Sequence, residues 1–176
     1  MPFRSPPVGA LLGALTLASC LMVWACQPAE ERGLVLVGVS VLDGRAGEPL
    51  EGALVVIEGD RIEALGPQSH VTLPKGLRLV PLQGHFILPA LAELTGDAAI
   101  AALVARAERG ESPEAVLNGV LRSAATNGPL LSPGASADLL VLNGDPRGDL
   151  GRLATPHALI VGGKLTQPLT GSQPPG

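Results

Sequence analysis

Gly84-His85-Phe86-Ile87-Leu88-Pro89-Ala90-Leu91-Ala92-Glu93-Leu94-Thr95-Gly96-Asp97 carries the chain from a strand into a helix. The Gln83-Gly84 pair breaks an extended run, and His85 to Leu88 resumes it as a short apolar strand. Beyond it, Thr95 or Asp97 is placed to cap a helix whose buried face is Ile100, Leu103, Val104 and Ala107, at the i, i+3, i+4, i+7 spacing. Gly110 supplies the stop.

A second helix follows at once. Ser112-Pro113-Glu114 offers an N-cap hydroxyl, a proline at the first helical position and an acid in the first turn. Val116, Leu117, Val120, Leu121 and Ala124 then repeat the helical spacing. Residues 91–128 therefore read as a helical hairpin.

Strands flank this hairpin on both sides. Before it come Leu34 to Leu42, Ala53 to Glu58, Arg61 to Leu65 and Leu77 to Leu82, with Gly59-Asp60 as a two-residue hairpin loop. After it come Asp138 to Asn143 and His157 to Val161, then a Gly162-Gly163 turn into Lys164 to Thr166. Pattern alone gives a mainly β chain with a short helical insert.

The quoted segment also resembles the Gly-x-x-Leu-Pro-Gly-Leu-Ile-Asp-x-His-x-His run of the amidohydrolase superfamily of metal-dependent hydrolases. There the last strand of a small β-sandwich passes into the first barrel strand, and two histidines reach a Zn²⁺-type ion. Aligned on Leu88-Pro89, the histidine positions fall on Thr95 and Asp97, and Ala90 stands for the glycine after proline. Downstream, Ala124-Ala125-Thr126-Asn127-Gly128-Pro129 and Ser132-Pro133-Gly134-Ala135-Ser136-Ala137-Asp138-Leu139-Leu140-Val141-Leu142 resemble the family's return from barrel to sandwich. Ala158 to Leu165 resembles its closing hairpin. The resemblance implies a composite β-sandwich formed by N- and C-terminal segments, 33–90 and 129–167. The helical hairpin stands where the catalytic barrel would be. A (β/α)₈ barrel takes about 200 residues or more, so none fits between the two flanks.

The same resemblance implies hydrolysis of C–N bonds, but the residues argue against it. A hydrolytic metal site takes about three protein ligands, an open position for water and a base. The three histidines, His70, His85 and His157, are isolated in sequence, and His85 and His157 each read as a partly exposed structural residue. Asp97 reads as a helix cap, Asp138 as a turn or strand-edge acceptor, and Asp145-Pro146 and Asp149 as turn chemistry. No catalytic residue, metal ligand or cofactor is assigned. The expected function is a non-catalytic binding or scaffold protein. The alternatives are a related hydrolase acting on non-peptide C–N bonds, as a fragment or completed by a partner chain, and a degenerate gene product.

The remaining segments speak to location. Arg4 and the apolar run from Val8 to Ala25 read as an export signal, and Leu17-Ala18-Ser19-Cys20 resembles a bacterial lipobox cut before an acylated cysteine. Cys20 is the expected lipidation site, with Cys26 as the alternative. Residues 1–32 are thus expected to be a signal and tether that place the protein on the bacterial cell envelope, with the membrane as its partner. A secretory peptide cut without lipidation and an uncleaved anchor rank lower. Both cysteines lie in this segment, so the remainder has no disulfide. The formal charge of −4 and only one Trp, two Phe and no Tyr speak against nucleic-acid binding. Residues 168–176 are expected to be a disordered tail.

Overall fold

The computed structural model describes residues 33–44, 48–73, 75–127 and 130–166. Cys20, Cys26, the proposed signal and the proposed tail lie outside them. Eight strands and three helices follow in the order β1 (Gly33–Val41), β2 (Leu50–Glu58), β3 (Arg61–Pro67), β4 (Arg78–Pro81), β5 (His85–Pro89), α1 (Ala92–Thr95), α2 (Asp97–Glu108), α3 (Pro113–Ala124), β6 (Leu139–Asn143), β7 (Ala158–Val161) and β8 (Lys164–Leu165). Short 3₁₀ turns cover Ala125–Asn127 and Leu150–Ala154. Among the described residues no helix is long and apolar enough to cross a membrane.

All eight strands belong to one mixed sheet, ordered β3-β2-β1-β5-β6-β7-β8, with β4 also on β1. The mainly β character expected from the sequence is present, but as one mixed sheet to which both flanks of the helices contribute and not as two packed sheets. The flanks meet in the antiparallel β5–β6 ladder, which runs from His85 opposite Asn143 to Pro89 opposite Leu139. A second connection lies at the far edge. Segment 134–137 bonds to the start of β3 through Ile62 N–H to Ala135 O (2.9 Å), Gly134 N–H to Ile62 O (2.7 Å) and Ala137 N–H to Asp60 O (2.8 Å). It also accepts from the β7–β8 turn, Gly163 N–H to Ala137 O at 3.1 Å. The sheet therefore curls, and the β2–β3 and β7–β8 hairpin tips touch. Gly163 has φ +72°, and a Cβ there would lie 1.9 Å from the Gly59 carbonyl oxygen. Only glycine satisfies both conditions.

One irregularity shapes the middle of the sheet. Gly38 has φ +77°, and the β1–β2 register shifts between Val37 and Val39. A positive-φ glycine at a register shift is the mark of a β-bulge, which bends its strand. Along the other side of β1 the partner is correspondingly broken. β4 pairs in parallel with Leu34 to Val37, the chain turns out at Gln83-Gly84, and β5 rejoins at Ser40 and Val41. The Gln83-Gly84 break read in the sequence sits beside this bulge, and a Cβ on Gly38 would lie 2.9 Å from Gln83 Cγ.

Strand alternation sends side chains to two faces. The inside of the curl holds Leu34, Leu36, Val55, Ile57, Ile62, Ile87, Leu139, Val141 and Ile160. On the outside, Val35, Leu54 and Val56 form a small cluster with Val71 and Leu77. The outer face of β5 and β6, through Leu88, Leu140 and Leu142, packs against Leu94 of α1, Ile100 and Leu103 of α2, and Val116, Leu117 and Leu121 of α3. All four leading residues of β6 are consequently buried, which is why Leu139 to Leu142 is a continuous apolar run without polar alternation.

The helices depart from the expected hairpin at their start. A separate turn, α1, precedes it, and Gly96 is the N-cap of α2. Asp97 occupies the first helical position, where its charge faces the positive end of the helix dipole without acting as the cap. Ser112 caps α3 as expected, accepting from Ala115 N–H at 3.1 Å. The Leu150–Ala154 turn, unanticipated, adds Leu150 and Leu153 to the helix-facing core.

Leu140 and Ile160 are 1% and 0% exposed. Leu140→Asp or Ile160→Asp is expected to cost ~3–5 kcal/mol, the scale of an uncompensated buried charge. Urea unfolding followed by circular dichroism checks this, and an unchanged midpoint would refute the assignment of either face.

Candidate functional site

Three places bear on chemistry: the exit from β5, the entry to β6, and the end of the sheet where β5 and β7 flank β6. At the exit, Ala90 N–H donates to Asp138 O at 3.0 Å, and the chain then turns away as Leu91 N–H reaches Pro89 O at 2.8 Å. Thr95 ends α1 and donates its hydroxyl to Leu91 O at 3.0 Å. Gly96 is extended, with φ −96° and ψ 134°, and Asp97 opens α2. Both Thr95 and Asp97 are exposed. On a strand, residues i and i+2 share a face, so a His-x-His pair converges on one ion. Here a helical turn, an extended glycine and a new helix replace the strand. Thr95 also offers only a neutral hydroxyl that is already donating to the backbone. The residues at 95 and 97 do not fit a hydrolytic metal centre, and no group of three or more His, Cys, Asp or Glu able to hold an ion occurs among the described residues.

The entry to β6 is fixed by Asp138. One carboxylate oxygen accepts from Ser136 Oγ at 2.6 Å, and the other accepts from Gly162 N–H at 2.7 Å. The Ser136 hydroxyl, then the Gly162 amide, hold its pKa below the usual carboxylate value against an opposing burial effect. Asp138 therefore ties the start of β6 to the β7–β8 turn, a structural role of the strand-edge type expected from sequence.

Further along, Asp145 receives the Arg147 backbone N–H at 2.9 Å and the Arg147 guanidinium at 2.7 to 3.1 Å. Burial works to raise the Asp145 pKa, but these bonds and the charges of Arg147 and Arg152 leave it lowered. Asp149 accepts from Gly151 N–H at 2.9 Å and caps the 3₁₀ turn. Both acids are turn residues, as their sequence context suggested. The Asp145–Arg147 pairing was not foreseen.

The histidines are the main surprise. His70 is exposed and His85 half-buried, but His157 is buried at 8% exposure, against the partly exposed position expected for it. Strand order explains the burial, because β5 and β7 both border β6 and bring His85 and His157 together across 72 residues of sequence. Their ring centroids are 4.4 Å apart, with planes inclined at 51°. His85 Nδ1–H donates to Gln83 O at 3.1 Å, which fixes the proton on Nδ1. His157 Nδ1 is buried without a partner. Burial first, and the neighbouring His85 second, hold the His157 pKa below its ordinary 6.5.

A groove of about 480 Å³ is lined by Val41, Leu50, Leu65 and Leu131 together with Asp43 and Glu48, and Arg147 approaches Glu48 at 3.8 Å.

No protein-family profile matches this chain, and no curated protein matches its sequence. Among solved structures, partial stretches are similar to a molinate hydrolase (25% identity over 54% of this chain and 21% of that one, TM-score 0.31). Others are similar to phenylurea hydrolase B (22% over 47% and 21%, TM-score 0.30) and to the D-hydantoinase of Bacillus sp. AR9 (27% over 32% and 11%, TM-score 0.25). The chain spans about a fifth or less of the length of these proteins.

Asp138→Ala removes both acceptors and is expected to cost ~1–2 kcal/mol near pH 7, discounted for partial solvent exposure. Because the folded pKa is depressed, this stabilisation is full above the unfolded value of 3.8 and is lost as pH falls through the lowered folded value. Urea titrations of wild type and variant should therefore converge in acid, and a difference that persists there would assign Asp138 a different role.

Proposed function

We propose that the protein is a non-catalytic, envelope-tethered binding or scaffold module built on an amidohydrolase-like composite sheet, with a helical hairpin in place of the catalytic barrel. The observation that carries this reading is the fate of positions 95 and 97. The two residues aligned with the family's metal-binding histidines are a threonine and an aspartate, set on either side of an extended glycine at a helix–helix break. Hydrolysis of an amide, imide or lactone by this family's chemistry needs a polarising ion, a water activated on it and a base. Thr95 offers a weak neutral oxygen and Asp97 one carboxylate on the surface of a helix. No later barrel strand adds a histidine or lysine, because the chain returns directly to β6.

The tether rests on the Leu17-Ala18-Ser19-Cys20 box and the polar stretch after Cys26. A lipid on either cysteine would hold the module on an envelope membrane facing away from the cytoplasm. Mass spectrometry of the membrane-extracted protein tests this part. The expected product starts at an acylated Cys20, or at Cys26, and an unmodified terminus elsewhere would remove the tether.

The purified chain is expected to hydrolyse no amide, imide or lactone above background, with or without added Zn²⁺. Thr95→His/Asp97→His is expected to leave turnover absent, because two imidazoles without a strand to converge them and without a base do not build the site. Turnover in the wild type that disappears in Asp97→Ala would overturn the reading and make the chain an enzyme.

A further inference from the structure

We propose that the contact between His85 and His157 is an acid-sensitive joint, which holds the β5–β6–β7 part of the sheet together when both rings are neutral and loosens it when His157 is protonated. The geometry carries the argument. His157 is the one buried polar or charged residue among those described, and it immediately precedes β7. Its backbone N–H closes on Val141 O at 2.8 Å, so its placement is tied to the β6–β7 ladder. Its ring lies against His85, on the strand that supplies the β5–β6 ladder. One residue pair thus spans the central strand from both sides.

A charge on His157 meets no partner at this contact. His85 Nδ1–H donates to Gln83 O, so that nitrogen does not serve as an acceptor for His157. β6 contributes no titratable residue from Leu139 to Asn143. The turn region after β6 carries Asp145, bound to Arg147, and Asp149, bound to Gly151 N–H and 3.8 Å from Arg152. Arg152 itself donates to Asn143 O at 2.6 Å, and Asn143 is the residue opposite His85. Protonating His157 would place a cation among these groups with its buried Nδ1–H unpaired, a cost that opening the contact to water relieves.

The sign follows from the depressed pKa. Above the unfolded value of 6.5 both folded and unfolded chains keep His157 neutral, and the joint contributes fully. As pH falls below 6.5 the unfolded chain takes up a proton that the folded chain resists. Stability therefore declines until the pH has passed the lowered folded value, and then levels off. This window lies above the range in which Asp138 and Asp145 titrate, because their values are lowered.

The test uses the full chain. Urea midpoints are measured from about pH 8 to about pH 5.5, together with amide hydrogen exchange in β6 and β7 and the NMR titration of His157. The wild-type midpoint is expected to fall with acid while β6 and β7 exchange accelerates, and His157 should titrate below its ordinary 6.5. His157→Gln is expected to remove most of the pH dependence in this window, and His85→Gln to weaken it. If His157→Gln fails to fold, His85→Gln and the wild-type titration still decide. A wild-type pH dependence retained in full by both variants, or His157 titrating at or above 6.5, would overturn the proposal.

Discussion

The five-residue ladder between β5 and β6 is the constraint on which the rest of the molecule depends. Each backbone pair from His85–Asn143 to Pro89–Leu139 joins residues on opposite sides of the helical segment. Without it, β5 would stay on β1 but present an open edge where β6 now joins it, and β6, β7 and β8 would be a small three-stranded piece. Small sheets with open edges and one uncovered face are marginal in water. The second connection, through segment 134–137, depends on the first, because Asp138 and Ala137 lead into β6 and the Ala90 amide bonds to Asp138 O. The curl thus closes around one core only when both flanks are present.

This constraint also accounts for the backbone at positions 95 and 97. In the resemblance drawn from the sequence, the chain beyond the Leu-Pro pair continues as a strand of a barrel, whose alternation places a His-x-His pair on one face. Here β5 ends at Pro89 and no further strand extends it. The chain must turn back to reach Asp138, and it does so through a helical turn closed by the Thr95 hydroxyl on Leu91 O. The local structure that lets the segment return is incompatible with the alternation that a converging pair of ligands requires. Residue identity and backbone geometry therefore point the same way.

Where the sequence carried local signals, the elements were legible. Ser112-Pro113 marks the start of α3, Gly59-Asp60 marks the β2–β3 turn, and Gln83-Gly84 marks the break between β4 and β5, because capping and turn chemistry act over a few residues. The resemblance supplied the order of the flanks. What stayed hidden depended on distant contacts. The Gly38 bulge looks in sequence like an ordinary glycine in a Val-rich strand, and the 3₁₀ turn at Leu150–Ala154 is too short to show a period. The cap of α2 was misplaced by one residue because Gly96 gives no side-chain signal, while Asp97 beside it is also favoured in a first helical turn. At the site, the place of Asp97 at the start of α2 was legible in the sequence. The His85–His157 contact was not, since two isolated histidines become neighbours only through the β5–β6–β7 order.

The helices are best understood as a cover fitted to the sheet rather than as a vestige hung from it. Leu88, Leu140 and Leu142 put fully or nearly fully buried side chains on the outer face of β5 and β6. Each buried leucine is worth ~1.5–3 kcal/mol when something apolar covers it. A five-residue strand is about 17 Å long. The 12-residue helices α2 and α3 are each about 18 Å long, at a rise of 1.5 Å per residue. Leu150 and Leu153 add to this cover from the carboxyl-terminal side. Shortening either helix by a turn would take apolar cover from Leu88, Leu140 and Leu142, and β6 has no polar alternation to present to water in their place.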